Sequence, residues 1–290
     1  MFAIVLDTVL PVIVISAIGV LIGARWEAGG RAIKSVLLDV LLPALALDVL
    51  ATGHYEIAEH RTVALTALLV MAGSGALGWA VARSVRLPVR PLVLSTVFMN
   101  AGALGVSFSS LAWGSEGLSW AVAFYIPTLI VTHTVGPWLA GAGGDARSIL
   151  RMPLPYAAVI GIALGAAGLA LPSPIAKAAH ILGQGAVPLM LLVVGSGISA
   201  APRAAHRAAL LATALRIGGG LALGWLLVRL FGLRGVPMNV VLLGSSMPTG
   251  ATSLMFAQRG ESSPEIVASA VLISTLATMV VTPLLLGLLA

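Results

Sequence analysis

Two short stretches carry the residue types from which a polar site can be built inside an apolar chain. They are Phe98-Met-Asn100-Ala-Gly102-Ala-Leu-Gly105-Val-Ser107 and Gly244-Ser245-Ser246-Met247-Pro248-Thr249-Gly250-Ala251-Thr252-Ser253, and each interrupts a run of apolar residues. Pro248 removes a backbone donor and obstructs the preceding turn, while Gly102, Gly105 and Gly250 permit non-helical dihedrals, so both runs are expected to break. A break frees N–H and C=O groups that cannot face hydrocarbon and must line a protein-enclosed cavity. The half-helix that begins after each break presents N–H groups and the positive end of its dipole, a favourable place for a carboxylate. Asn100, Ser245, Ser246 and Thr249 add side-chain hydrogen bonds. Small residues of this kind also serve plain helix packing, and the pairing of two breaks is what points to a binding site.

Other polar residues fall inside apolar runs. Arg216 can hold a substrate carboxylate, pair with Asp39, or snorkel to the nearer interface. Asp39 can carry a proton where burial raises its pKa, although it and Asp48 stand near opposite ends of one run, where interfacial solvation suffices. Asp7 and Glu116 read as interfacial. His133, flanked by Thr128, Thr132 and Thr134, reads as a hydrogen-bonded structural histidine or as a proton acceptor. Thr132 and the hydroxyls of Ser274, Thr275 and Thr278 loosely resemble sodium ligands. No carboxylate stands beside them, so a proton is favoured over sodium as a coupling ion.

No His-Glu-x-x-His, Walker loop or Gly-x-Ser-x-Gly elbow is present, and an enzyme is not expected. With no cysteine, the chain has no disulfide, thiolate metal site or cysteine nucleophile. No cofactor and no metal are expected. The net charge of +6 comes from Lys and Arg scattered singly between apolar runs, which argues against nucleic acid.

The elements that must position these residues follow from composition. Charged residues are 9% and hydrophobic ones 59% of 290, and so few charges cannot cover a soluble surface. Runs of ~20 apolar residues, long enough to cross a bilayer, occupy residues 3 to 23, 33 to 52, 62 to 82, 91 to 112, 118 to 140, 153 to 171, 175 to 200, 208 to 230, 237 to 258 and 264 to 289. Asn100 and Pro248 then lie roughly 13 to 16 Å along their spans, near mid-bilayer. The first run lacks a basic n-region and a cleavage site, so it reads as an uncleaved span.

Alternate loops differ in basic content. One set holds Arg25, Arg31, Lys34, Arg83, Arg86, Arg90, Arg147, Arg151, Arg203, Arg207 and Arg259, the other Arg61, Lys177, Arg229 and Arg234. The positive-inside rule makes the first set cytoplasmic and both termini external, in the plasma (inner) membrane.

The chain also repeats. Gly73-Ser-Gly-Ala-Leu-Gly-Trp-Ala-Val-Ala-Arg83 matches Gly219-Gly-Leu-Ala-Leu-Gly-Trp-Leu-Leu-Val-Arg229 at six of eleven positions with an offset of 146. Asp39-x-x-x-Pro43 answers Gln184-x-x-x-Pro188, and Pro137 answers Pro283. Residues 1–145 and 146–290 are thus expected to be two five-helix repeats, and an odd number of spans inverts the second. This is the arrangement of many secondary transporters.

The motifs Asn100-x-Gly102-x-x-Gly105, Leu41-Leu-Pro43-Ala, and Met247-Pro248-Thr-Gly-Ala followed by Gln258-Arg-Gly-Glu261 resemble the auxin efflux carrier family, in the larger group that contains the bile-acid sodium symporters. The resemblance implies an all-α membrane protein of ten helices. Spans 1, 2, 6 and 7 would form a scaffold and spans 3–5 and 8–10 a transport domain, with broken helices 4 and 9 crossing beside the substrate. It implies a small carboxylate as substrate and homodimers through the scaffold. Where the family commonly has proline after the first motif this chain has Ser107, so the first break must rest on Asn100 and the glycines. The competing readings are a sodium-coupled bile-acid-like symporter, and a sensor or channel, which would be expected to carry an appended cytoplasmic domain.

Overall fold

The structure is a computed structural model and describes residues 2–23, 30–52, 57–141, 152–199 and 207–289. The expected cytoplasmic residues Arg25, Arg147, Arg151 and Arg203 lie outside them. Among the described residues the chain is helical apart from turns, short connecting segments and one isolated β-bridge. Helix falls on each of the ten apolar segments. The stretches His60–Ser84, Ala101–Ala140, Ser173–Val193, Arg207–Phe231 and Pro264–Leu289 are long and apolar enough to cross a membrane, while Leu10–Gly23, Pro153–Ala167 and Gly235–Ser245 are apolar but shorter.

The helices are α1 (Phe2–Gly23), α2 (Gly30–Val36), α3 (Leu42–Thr52), α4 (Ile57–Ser84), α5 (Val89–Val97), α6 (Ser107–Ala140), α7 (Pro153–Ala167), α8 (Ser173–Gln184), α9 (Ala186–Ser199), α10 (Arg207–Ala214), α11 (Gly220–Phe231), α12 (Gly235–Ser245), α13 (Ala251–Arg259) and α14 (Pro264–Leu289). Three π-helical stretches, Leu37–Leu41, Ala101–Val106 and Leu215–Gly219, join α2 to α3, lead into α6 and join α10 to α11.

Local chemistry explains the irregularities. Pro43 cannot donate to the carbonyl of Asp39, and one residue earlier the N–H of Leu42 reaches five residues back to Leu37. Pro188 likewise withholds a donor from Gln184, the residue at which α8 ends before Gly185. Both pairs therefore mark an irregularity, a widened π-helical turn at Leu37–Leu41 and a tightened turn in which the Gly185 N–H donates to the Leu182 carbonyl at 3.1 Å. The expected separation of two spans around residues 113–117 is seen as a sharp kink: α6 is helical on either side of Trp113 (φ −129°, ψ 17°) and Gly114 (φ 60°, ψ −142°), whose dihedrals are not helical, and the second is one that glycine adopts freely.

Helix α1 packs on α9, and α3 packs on α7 and α8, whereas α4, α5 and α6 pack with one another and with α10 to α14. Asp48, expected to be interfacial, pairs at 2.9 Å with the exposed His180 and so links α3 to α8. The outer surface is apolar, with Leu21, Trp138, Val159, Leu230 and Leu288 each at least two-thirds exposed. Such a surface belongs against lipid. The matched repeat segments make the same contact: the Arg83 guanidinium lies over Trp79 at 5.6 Å and that of Arg229 over Trp225 at 5.2 Å. An aromatic–cation pair of this kind suits a membrane–water interface.

Backbone contact between α1 and α9 depends on small residues, as in many membrane interfaces. A Cβ at Gly195 would stand 2.9 Å from the Gly19 Cα and closer still to the Ser16 carbonyl. Gly195→Val is therefore expected to destabilise the protein by roughly 1 to 3 kcal/mol through overpacking. Thermal unfolding in detergent measures this.

Candidate functional site

Both interruptions occur where the residue types placed them. The first comprises Phe98 (φ −92°, ψ 107°), Met99 and Asn100 (φ −80°, ψ 51°), after which the chain enters the π-helical turn Ala101–Val106. No proline is needed. The Gly105 N–H donates five residues back to the Asn100 carbonyl at 3.2 Å, and the Ser107 hydroxyl donates to the Ala103 carbonyl at 2.5 Å. Gly102 is required for space, since a Cβ there would lie 2.6 Å from the Tyr125 ring. The second interruption spans residues 246–250 between α12 and α13.

The two breaks meet. The Asn100 N–H donates to the Pro248 carbonyl and the Gly250 N–H to the Phe98 carbonyl, both at 2.7 Å, and Met99 faces Thr249 in an antiparallel bridge. Thr249 extends the contact: its hydroxyl donates to the Ser95 carbonyl at 2.8 Å, and its N–H donates to Ser274 Oγ on α14 at 3.0 Å. Backbone groups freed by one break are thus satisfied largely by the other, as burial in an apolar interior demands.

The polar side chains sort by where they point. Ser246 donates to the Leu243 carbonyl at 2.8 Å, so its hydroxyl and that of Thr249 are spent on backbone. Ser245 Oγ is buried without a hydrogen-bond partner among the described residues and packs against Gly224 of α11. Asn100 differs. Its side chain is partly exposed and makes no hydrogen bond to a described residue. Thr252, the second residue of α13 and close to Gly250, is also partly exposed, and it stands in the second motif without an expected role. Its signal was its position among the first N–H groups of α13, which lack intrahelical partners.

Arg216 lies in the π-helical turn Leu215–Gly219 with no exposed surface. Neither a pairing with Asp39 nor snorkelling to an interface is found. Its two terminal nitrogens donate to the carbonyls of Thr96 (2.5 Å) and Ser245 (2.6 Å), at the C-terminal ends of α5 and α12, and Nε has no partner among the described residues. Being fully covered, it meets no ligand in this conformation.

Of the coupling candidates, Asp39 is exposed in the Leu37–Leu41 turn, whereas Thr132 and His133 are neighbours on α6. Thr132 donates to the Thr128 carbonyl at 2.6 Å, and His133 Nδ1 lies 3.0 Å from the Leu129 carbonyl. The His133 ring meets Phe256 edge-on, and Phe256 in turn meets Phe98 of the first break. A surface groove of about 590 Å³ lies between α4, α5 and α6 and is apolar except for Trp79 and Arg90.

Two features thus coincide: a polar meeting point of two interrupted helices and a lipid-facing exterior. A family model described as membrane transport protein matches residues 142–286, half of the chain. The chain belongs to the membrane transport family of the auxin efflux carriers. An uncharacterized transporter of Methanothermobacter thermautotrophicus is 26% identical over 96% of each chain. Another from Methanocaldococcus jannaschii is 24% identical over 95% of this chain and 96% of its own. Auxin efflux carrier component 1 of Arabidopsis thaliana is 28% identical over 47% of this chain and 23% of its own. The family read from Asn100-x-Gly102-x-x-Gly105 and Met247-Pro248-Thr-Gly-Ala is borne out, and with it an integral membrane transporter.

Thr249→Val keeps shape but leaves the Ser95 carbonyl without its donor. It is expected to cost about 1 to 3 kcal/mol, whereas Ser253→Ala, which removes a buried hydroxyl without a partner, is expected to be neutral. Paired thermal melts of the two variants test the assignment.

Proposed function

We propose that this protein is a secondary active carrier of a small organic anion, a carboxylate, bound beside Asn100 where the half-helices beginning at Ala101 and Ala251 start. The observation that carries the reading is the meeting of these two N-termini around a side-chain amide that is partly exposed and has no hydrogen-bond partner among the described residues. Helix N-termini attract negative charge, and an amide supplies a further donor. Because Ser245, Ser246, Pro248, Thr249, Gly102, Gly105 and Arg216 are buried, their part is to shape and brace the site, while Asn100 and Thr252 are the side chains that contact the anion.

The architecture proposed with it is two inverted five-helix repeats, residues 1–145 and 146–290. The shared Trp–Arg contacts and the prolines at matched positions of the two halves support it. The packing of α1 on α9 and of α3 on α7 and α8 supports a scaffold of spans 1, 2, 6 and 7 beside a transport domain of spans 3–5 and 8–10, which would give alternating access. A proton, through Asp39 or His133, is the proposed coupling ion. No enzymatic step is part of the cycle.

Counterflow in proteoliposomes over a panel of carboxylates, with pH and sodium gradients varied separately, tests the function. Asn100→Ala is expected to lower exchange by roughly 10- to 100-fold, the worth of a hydrogen bond to a charged group, with little change in melting temperature. Unchanged exchange, or none with any carboxylate, would overturn the reading, and a sodium requirement would move the protein to the symporters.

The chain has no cysteine, so orientation can be read from single introduced thiols. Arg86→Cys is expected to react with a membrane-impermeant maleimide only from the cytoplasmic side, and Lys177→Cys only from outside.

A further inference from the structure

Half-helices broken inside a membrane have two kinds of ends. Their N-termini suit anions, and their C-termini, with unsatisfied carbonyls and a partial charge of roughly −0.5 each, suit cations. Carriers built on broken helices commonly use such C-terminal carbonyls to coordinate a coupling cation. Here the C-terminal ends of α5 and α12 are joined by Arg216, whose two terminal nitrogens donate to the Thr96 and Ser245 carbonyls.

We infer that Arg216 is a built-in cation that occupies the place at the joined half-helix C-termini where a diffusible coupling cation would otherwise sit, so that the site beside Asn100 stays assembled without sodium. The inference rests on reading the two breaks as the anion site. It names Arg216 as a positioning residue, since its guanidinium is wholly buried and acts through the half-helices.

Three observations carry it. The two half-helix ends together present roughly one negative charge, which one guanidinium balances, and among the described residues no carboxylate pairs with Arg216. Room is made for it: a Cβ at Gly220 would overlap both the guanidinium and the Ser245 carbonyl. The position has no twin, because the repeat-equivalent residue in α4 is Val70, also fully buried. A single cation suffices where the bridge between the breaks brings both C-termini to one place. Arginine suits the task because its fork of donors spans two carbonyls and its charge is permanent.

The test is thermal unfolding of the purified protein in nanodiscs, in choline, sodium or millimolar guanidinium chloride, beside counterflow in the same salts. Wild type is expected to melt and exchange alike in choline and sodium. Arg216→Gln, which keeps donors without the charge, is expected to melt roughly 5 to 15 °C lower, and Arg216→Lys to recover most of the difference. Arg216→Ala is expected to be restored in part by guanidinium. A melting temperature of wild type that rises with sodium, or an Arg216→Gln variant that matches wild type, would overturn the inference. Should Arg216→Ala fail to fold, the wild-type salt series and the Lys and Gln variants still decide. Melting needs no substrate, so failure of carboxylate exchange alone would leave this result standing.

Discussion

Everything at the candidate site depends on one constraint: backbone N–H and C=O groups freed inside an apolar interior must find partners within the protein. Each one left unpaired costs about 1 to 3 kcal/mol, and two breaks inside apolar runs would expose several. The two breaks answer each other. Asn100 donates to Pro248 and Gly250 donates to Phe98, so neither break is satisfied without the other, although about 150 residues separate them in sequence. The remaining polar groups complete the arrangement. Ser95 and Ser274 receive hydrogen bonds from Thr249, and Thr96 and Ser245 receive them from Arg216.

Steric permission precedes these bonds. The half-helices approach closely enough because side chains are missing where backbones and rings come together: Gly102 admits the Tyr125 ring and Gly224 admits Ser245. Gly224 belongs to the repeated Gly-Trp segment, and its counterpart Gly78 admits Thr96 in the same way. The repeat is thus a packing instruction given twice, each time seating the first half of a broken helix against its neighbour. Its Trp and Arg, four residues apart, fix the far end of that neighbour at the membrane edge.

Much of this was legible in the residues, and the part that was not has a physical cause. Runs of apolar residues fixed the helical segments because hydrocarbon thickness leaves little freedom in their length. Pro248, Asn100 and the glycines marked the breaks because backbone chemistry is local. The Gly-containing stretch between the fourth and fifth apolar runs marked the kink at Gly114 for the same reason. The directions of the Ser246 and Thr249 hydroxyls were hidden. Whether a hydroxyl faces a ligand or a carbonyl depends on which distant segment lies beside it. Arg216 illustrates this most clearly: its partners are two carbonyls 120 and 29 residues away, and no pattern within α10 or α11 announces them.

The same bonds limit how the protein can move. Those that hold the breaks together run among α5, α12, α13, α14 and the Leu215–Gly219 turn, and none of them reaches α1, α3, α7, α8 or α9. Separating the breaks would strand at least four backbone carbonyls and a buried guanidinium, at about 1 to 3 kcal/mol for each neutral group and more for the charge. Sliding the whole group past the other helices would break none of these bonds and would exchange apolar contacts for similar ones. Presenting Asn100 alternately to the two sides of a membrane is therefore cheaper by rigid displacement of the joined half-helices than by opening the joint. The polar contacts that make the site possible are the same ones that, in the proposed carrier, would make it move as a unit.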